Sequence, residues 1–331
     1  MSRLADTPLS VLDLAPIREG GTIADTFRES VDLARCAERL GFTRYWLAEH
    51  HGIEGIASAA TAVLIGHVAG ATERIRVGSG GIMLPNHPPL VVAEQFGTLE
   101  TLYPGRIDLG LGRAPGSDGA TMAALRRDPH AGVDDFPRRL AELKGYLDDE
   151  QPGQRVRAVP GQGTRVPLWL LGSSDFSARL AAREGLPFAF AAQFAPARLL
   201  EALRLYRDNF RPSAVLDRPH AMVGLPVIAA DSDLQAEYLA STARRKFLGL
   251  IRGTRTRALP PVDELDWSPM EQAQVEQFLG AAVIGGPETV HEGLERFLAE
   301  TGADELMLNT DVYAAEDRLR SYEIVARLWR S

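Results

Sequence analysis

Residues 44–51, Arg44-Tyr45-Trp46-Leu47-Ala48-Glu49-His50-His51, read as a short apolar strand that ends in two adjacent histidines. Neighbouring side chains on a strand point to opposite faces, so His50 and His51 cannot share one environment. The C-terminal end of a buried strand is where many α/β proteins place their chemistry. A pair of solvated loop histidines is the plainer reading of this segment taken alone. The flanking chain decides between the two.

Strand and helix patterns alternate on both sides of it. Upstream lie a strand at Leu9–Ala15 and a helix at Asp25–Leu40, whose apolar stripe is Leu33, Ala34, Ala37 and Leu40 and whose stop is Gly41. Downstream, an alanine- and glycine-rich helix at Ser58–Ala71 precedes a strand at Ile75–Ser79, which runs on into Gly80-Gly81-Ile82-Met83. Further strands are predicted at Arg106–Leu111, Pro167–Leu171, Pro187–Ala192, Ala221–Ala229 and Glu305–Asn309. Helices are predicted at Pro89–Leu102, Phe136–Asp149, Phe176–Glu184, Pro196–Asn209 and Ala315–Trp329. Such alternation is the mark of a parallel α/β sheet. Eight units without a break in composition predict a single (β/α)8 TIM barrel over residues 1–331, with a doubly wound open sheet as the runner-up. Residues 151–166 are expected to form a hairpin insertion turning at Pro160-Gly161. Residues 233–300 read as mostly helical. Within them a basic, proline-containing stretch, about 240–270, is expected to be a mobile lid. The charges of Arg244, Arg245 and Lys246 read as a solvated helix face.

Composition narrows the class. The chain has 331 residues, 45% hydrophobic and 24% charged, as in ordinary globular proteins. A net charge of -8 argues against nucleic acid or an anionic membrane as partner. No apolar run approaches the ~18 residues that span a bilayer, and the N-terminus lacks a signal-peptide core. Cys36 is the single cysteine, so no intrachain disulfide can form, and it reads as a buried small apolar residue. These features point to the cytoplasm.

The predicted strand ends collect a defined set of groups: Asp13, His50-His51, Ser79-Gly80-Gly81, Gly112-Arg113-Ala114, Ser173-Ser174, Gln193-Phe194, Asn309 and Asp311. Ser173, Ser174 and Ser177 crowd one predicted helix start, where free N–H groups and the helix dipole favour an anion. Simple N-capping by Ser174 or Asp175 is the competing reading. If an anion binds, Asp175 should point away from it and Arg113 is its natural counter-charge. The glycine-rich Gly110-Leu111-Gly112-Arg113-Ala114-Pro115-Gly116 lacks the third glycine and the acidic residue of a dinucleotide fingerprint. Glu49, His50 and His51 lack the spacing of a zinc helix motif, and His87, His130, His220 and His291 are scattered, so no metal site is expected. His67 reads as a packed histidine. No G-x-S-x-G elbow is present.

Three stretches together resemble the bacterial luciferase-like flavin monooxygenase family: RYWLAEHH (44–51), VGSGGIMLPNHPPLVVAEQFGTLETLYPGRIDLGLGRAPGSD (77–118) and LLGSSDFSARLAAREGLPFAFA (170–191). The likeness covers nearly the whole chain, in order. It implies a TIM-barrel enzyme that takes reduced FMN as a bound substrate and, with O2, oxygenates a small organic molecule through a flavin C4a-peroxide. His50 matches the family's active-site histidine beside the flavin ring. Ser79 and Gly80 match a bulge with a non-proline cis peptide under the ring. Arg113, with Ala114, matches the arginine segment near the flavin phosphate. Ser173, Ser174 and Ser177 match the phosphate-binding positions. The luciferases carry an acidic residue in place of Ser173 and a reactive cysteine in place of Gly112, so long-chain-aldehyde bioluminescence is not expected here. A separate flavin reductase is expected to supply the reduced FMN, and the helices at 58–71 and 89–102 to form a homodimer contact. The alternatives are deazaflavin (F420)-dependent hydride transfer and a flavin-binding protein without turnover.

Overall fold

Along the first two strands, side-chain parity sorts the chain into an inside and an outside. On β1 (Leu9–Asp13), Leu12 joins Trp46 of β2 (Arg44–Leu47) in one buried cluster. Leu9 and Val11 join Tyr45 and Leu47 in another. The first cluster fills a barrel and the second lies between the strands and the surrounding helices. The computed structural model describes residues 3–114, 119–125, 135–254 and 256–330. His130 and residues 115–118 of the loop after the fourth strand lie outside them.

A short helix, α1 (Arg3–Asp6), leads into β1, α2 (Ile23–Arg39), β2, α3 (Thr61–Gly70), β3 (Arg76–Met83), α4 (Pro89–Leu102), β4 (Ile107–Gly112), α5 (Gly119–Ala124) and α6 (Phe136–Leu147). Then come β5 (Leu168–Gly172), α7 (Asp175–Glu184), β6 (Phe188–Ala191), α8 (Leu199–Asp208), β7 (Ala221–Ala229), α9 (Asp233–Ile251) and α10 (Pro269–Phe278). β8 (Val283–Gly285), α11 (Pro287–Thr301), β9 (Glu305–Asn309) and α12 (Ala315–Trp329) complete the order. Eight parallel strands close a ring in the order β1-β2-β3-β4-β5-β6-β7-β9, and β9 pairs back onto β1. The chain is a (β/α)8 TIM barrel. The open-sheet alternative is excluded, because the first and last strands of the ring are bonded to each other.

One expectation fails. Residues 151–166 contain no paired strand. The segment is a coil tied by side chains: the Gln154 amide donates to Gln162 Oε1 at 2.8 Å, and the Gln162 amide donates to the Asp148 carbonyl at 2.5 Å. Two Pro-Gly turns, at 152–153 and 160–161, leave too little extended chain between them for a ladder. The stretch 233–300 is mostly helical, as expected, in α9, α10 and α11, but it also holds a strand that the pattern does not predict. Val283–Gly285 form β8, which pairs with the far end of β7 outside the ring.

Inside the barrel, the N-terminal end is plugged by charge. Arg44 donates to Asp108 and to Glu305, each at 2.9 Å, and Arg76 donates to Asp108 at 2.6 Å. The Trp46 indole N–H also reaches Asp108, at 3.1 Å. The plug is closed on itself, which leaves the opposite end as the open mouth. Asp13 does not belong to that mouth. It sits at an outward-facing position of β1, fully buried, accepting from Arg318 at 2.8 Å, from Ser30 at 2.6 Å and from the Tyr45 hydroxyl. Burial alone would raise its pKa, but Arg318 and these hydroxyls outweigh it and hold the carboxylate below its usual range.

The Asp13–Arg318 pair ties β1 to α12 across the outer layer. Asp13→Asn strands a buried guanidinium and is expected to cost about 3–5 kcal/mol in urea unfolding at neutral pH. The pKa of Asp13 is lowered on folding, so its contribution is present above the unfolded carboxylate pKa and is lost as pH falls below it. The difference between wild type and variant should therefore shrink on acidification. An unchanged gap at acid pH would rule out this account.

Candidate functional site

The mouth is shaped by an irregularity in β3. Ser79 pairs with Leu109 and Ile82 with Leu111, so three steps on β3 face two on β4. The extra residue is accommodated in the Gly80–Gly81 segment, which holds a non-proline cis peptide. The cis bond thus lies one residue beyond the expected Ser79–Gly80 position. Ser79 is not on the cavity wall. It is fully buried and its hydroxyl donates to the Gly110 carbonyl at 2.9 Å, locking the base of the bulge onto β4.

Two cavities meet at this bulge. The first, of about 190 Å3, brings together Gly80, Gly81, Arg113, Ala114, Ser173, Ser174 and Ser177. Its floor is the apolar barrel interior, including Leu12, Trp46, Met222 and Met307. The second, of about 400 Å3, is larger and lies under α9. His50 faces this second cavity, together with Leu14, Ile56, Phe247, Leu250 and Val312. Leu12, Gly80, Met83, Gln193 and Phe194 line both, so the two form one continuous mouth.

The first cavity ends in a cluster of donors around the start of α7. Ser174 is the N-cap residue of α7, yet its side chain caps nothing. The first N–H groups of that helix are therefore left for another acceptor. Ser177 is buried in the first turn, and only a glycine at 172 admits it: a Cβ there would lie 2.4 Å from the Ser177 hydroxyl. The Arg113 guanidinium lies 4.1 Å over the Phe176 ring, which aims it across the helix start. Among the described residues no carboxylate pairs with it. Asp175 lines neither cavity and lies 4.0 Å from Arg179, so it turns away as expected. An uncapped helix start, three serines and an arginine without a carboxylate partner gather hydrogen-bond donors and positive charge at one end of the cavity.

His50 and His51 separate. The His50 Nδ1 atom is buried without a hydrogen-bond partner. Burial first, and the nearby Lys246 ammonium second, lower the pKa of His50 to about 4. His51 turns away, and its Nε2 lies 2.8 Å from Glu49 Oε1. Glu49 is itself buried, and its Oε2 accepts from the Met83 N–H at 2.9 Å. Burial would raise its pKa, but His87, the Met83 N–H and His51 hold the carboxylate below its usual range. The sequence pointed to none of this, because His87 is remote in the chain and becomes a neighbour only through the bulge.

Lys246 is also misplaced by the sequence reading. It is not merely part of a solvated face: it lines the second cavity and pairs with Asp311 at 2.7 Å. Arg244, on the same helix, pairs with Glu237 at 2.7 Å and with Glu276 at 3.2 Å. Periodicity could not show which charge of Arg244-Arg245-Lys246 faces inward. Gln193 and Asn309, by contrast, do stand at strand ends, buried, each with a side-chain oxygen that has no partner.

Comparison with known proteins gives a consistent result. Residues 8–305 match the family model described as luciferase-like monooxygenase. The chain is 59% identical over 329 residues to the protein YvbT of Bacillus subtilis (strain 168), covering 98% of each. It is 55% identical over 317 residues to a luciferase-like monooxygenase of Escherichia coli (strain K12), covering 95% of each. The crystal structure of apo-MsnO8 superposes with a TM-score of 0.91 at 38% identity, covering 98% of each chain. The chain belongs to the luciferase-like monooxygenase family.

Proposed function

We propose that this protein is a flavin-dependent monooxygenase that uses reduced FMN and O2 to oxygenate a small, largely apolar organic molecule. The observation that carries this is the phosphate pole of Arg113, Ser173, Ser174 and Ser177, joined through the Gly80–Gly81 bulge to an apolar chamber faced by His50. The pole is the right kind of site for one phosphate monoester. Glycines at the bulge let backbone rather than side chains meet a flat ring. When bound, reduced FMN would supply the activation of O2, which no side chain here can provide. The chain's own part is to hold the phosphate, orient the ring and exclude water.

Ser79 would serve this site indirectly, by holding the bulge to Gly110. Ala114, at the mouth beside Arg113, would border the phosphate. His50 would stand between cofactor and substrate as a neutral imidazole. At neutral pH it can therefore accept or donate one hydrogen bond, and it carries no charge. The segment 240–270 would act as the lid. Its Ala258 is already bonded to the loop after β1: its N–H donates to Ile17 and its carbonyl accepts from Glu19, each at 2.9 Å. A longer anionic cofactor such as F420 fits less well, because Arg113 is the one cation among the described residues lining the phosphate cavity. The reduced FMN would come from a separate reductase. A cytoplasmic homodimer is also proposed, supported by the exposed Val63 on α3 and Val91 and Leu102 on α4. No described helix is long and apolar enough to cross a membrane.

Anaerobic titration with reduced FMN and, separately, reduced F420, followed by an O2 pulse watched by absorbance, tests the cofactor. Tight binding of reduced FMN alone is expected, and preference for F420 would overturn the reading. Arg113→Ala should weaken FMN binding by about tenfold to a hundredfold. His50→Ala should leave that binding nearly intact while slowing turnover by about 10²–10⁴; FMN binding with no substrate consumed by either protein would favour a carrier without turnover. With its pKa near 4, His50 should add no inflection to the pH–rate profile between about pH 5.5 and 8. An inflection near 6.5 that disappears in His50→Gln would contradict its buried neutral state. Light scattering should give a dimer at micromolar concentration, and Val63→Glu with Leu102→Glu should shift it to monomer.

A further inference from the structure

Behind the bulge, three side chains converge that the flavin reading does not use. Glu49 Oε1 lies 2.8 Å from His51 Nε2 and 2.9 Å from His87 Nε2, and all three atoms fall within 4.8 Å of one another. The Asn86 amide nitrogen approaches the same oxygen at 3.3 Å. Oε2 accepts from the Met83 N–H at 2.9 Å and also lies 3.0 Å from His87 Nε2, which is shared between the two oxygens. None of the three ligand-type residues lines the flavin or the substrate cavity.

The carboxylate offers about four lone-pair directions, and four nitrogens surround it. With hydrogen bonds alone, both imidazoles carry their proton on Nε2. A divalent cation would take the place of those two protons, because Oε1 and the two Nε2 lone pairs can all address one positive centre, and the three ligand-type atoms already lie within 4.8 Å of one another. The Met83 N–H on Oε2 would then be the supporting bond that orients the carboxylate.

We propose that Glu49, His51 and His87 form a binding site for one transition-metal divalent cation of the zinc type. Two imidazoles and one carboxylate are a borderline donor set that suits Zn2+ and disfavours Mg2+ or Ca2+, which take mostly oxygen. The partial exposure of His51 and His87 gives the ion and a fourth, water ligand a path, while Glu49 stays buried beneath them. With bonds of about 2.0–2.1 Å, tetrahedral ligand atoms stand about 3.3 Å apart, so relative to Oε1 the His51 imidazole must move outward by about 0.5 Å and the His87 imidazole by about 0.4 Å. The ion would tie the end of β2 to the turn after β3. It would sit on the far side of the Gly80–Gly81 peptide from the cavities, as a fastener of the mouth.

The test uses the tag-free, full-length protein after dialysis against a chelator. Calorimetric titration with Zn2+ should give one site per chain, and Mg2+ should give none. Co2+ in the same site should develop visible absorption of a four-coordinate ion. Zn2+ should raise the thermal unfolding midpoint, since it binds the folded state. His87→Ala changes a partly exposed side chain, and Glu49→Gln keeps the shape of the buried one. Each should weaken Zn2+ binding at least tenfold and abolish the midpoint shift, with far-UV circular dichroism confirming the fold. Should Glu49→Gln not fold, His51→Ala takes its place. No Zn2+ binding by the wild type, or binding undiminished in His87→Ala because other histidines hold the ion, would overturn the proposal.

Discussion

The seam between β3 and β4 leaves no room for a side chain, and the mouth of the barrel is built on that constraint. A Cβ at Gly110 would lie 2.1 Å from the Ser79 carbonyl, and one at Gly78 would lie 2.5 Å from the Asp108 carbonyl. Backbone therefore packs on backbone where a normal parallel pair would interleave side chains. This close approach lets β3 take its extra residue and still rejoin β4 at Ile82. The bulge then carries Gly80 and Gly81 to the cavity wall and sends Met83 toward Glu49. The first cavity, the second cavity and the histidine cluster all border one irregularity.

The barrel's charge distribution supports the same division. Arg44, Arg76, Asp108 and Glu305 neutralise one another at the N-terminal end. Among the described residues nothing comparable closes the C-terminal end, where Arg113 meets an uncapped helix. Buried charge is costly unless paired, so an unpaired cation at a cavity mouth marks a place kept for an anion. The closed plug and the open pole are the structural and functional uses of the same chemistry, at opposite ends of one sheet.

The fold was largely legible because its signal is periodic: strand and helix alternate, and β7 (Ala221–Ala229) and β9 (Glu305–Asn309) fall where the apolar runs lie. The convergence of Arg113 with Ser173, Ser174 and Ser177 on one cavity was legible because the serines are close in sequence and Arg113 ends the neighbouring strand. What escaped depends on direction or on distant contacts. Asp13 stands at a strand end but faces α12, because Leu12 takes the inward position. Ser79 belongs to the bulge yet points into β4. Lys246 sits in a run of three cations, and only packing shows that it lines a cavity. The Glu49–His87 contact spans a strand, a helix and the bulge, and no local pattern encodes it. Residues 151–166 misled because paired Pro-Gly turns resemble hairpin ends, whereas here they terminate coil.

The second cavity combines a largely apolar wall with two cations that are each paired, Lys246 with Asp311 and Arg257 with Glu54, and the first of these pairs lies near His50. An isolated ammonium beside the imidazole would lower its pKa and also lay a strong field across the chamber. Asp311, 2.7 Å from Lys246, confines that field to a short dipole at the edge. His50 is thus kept neutral chiefly by burial, with the ammonium in second place. A neutral imidazole in a dry, apolar chamber can hydrogen-bond without attracting the water that a charged one would hold. On the proposed function, that combination is what chemistry that must keep water from an oxygen-activating cofactor requires. The unpaired amide oxygens of Gln193 and Asn309 then stand out as the polar acceptors left within the apolar wall. A molecule that fills this chamber without leaving them stranded must itself bring hydrogen-bond donors into an otherwise apolar outline.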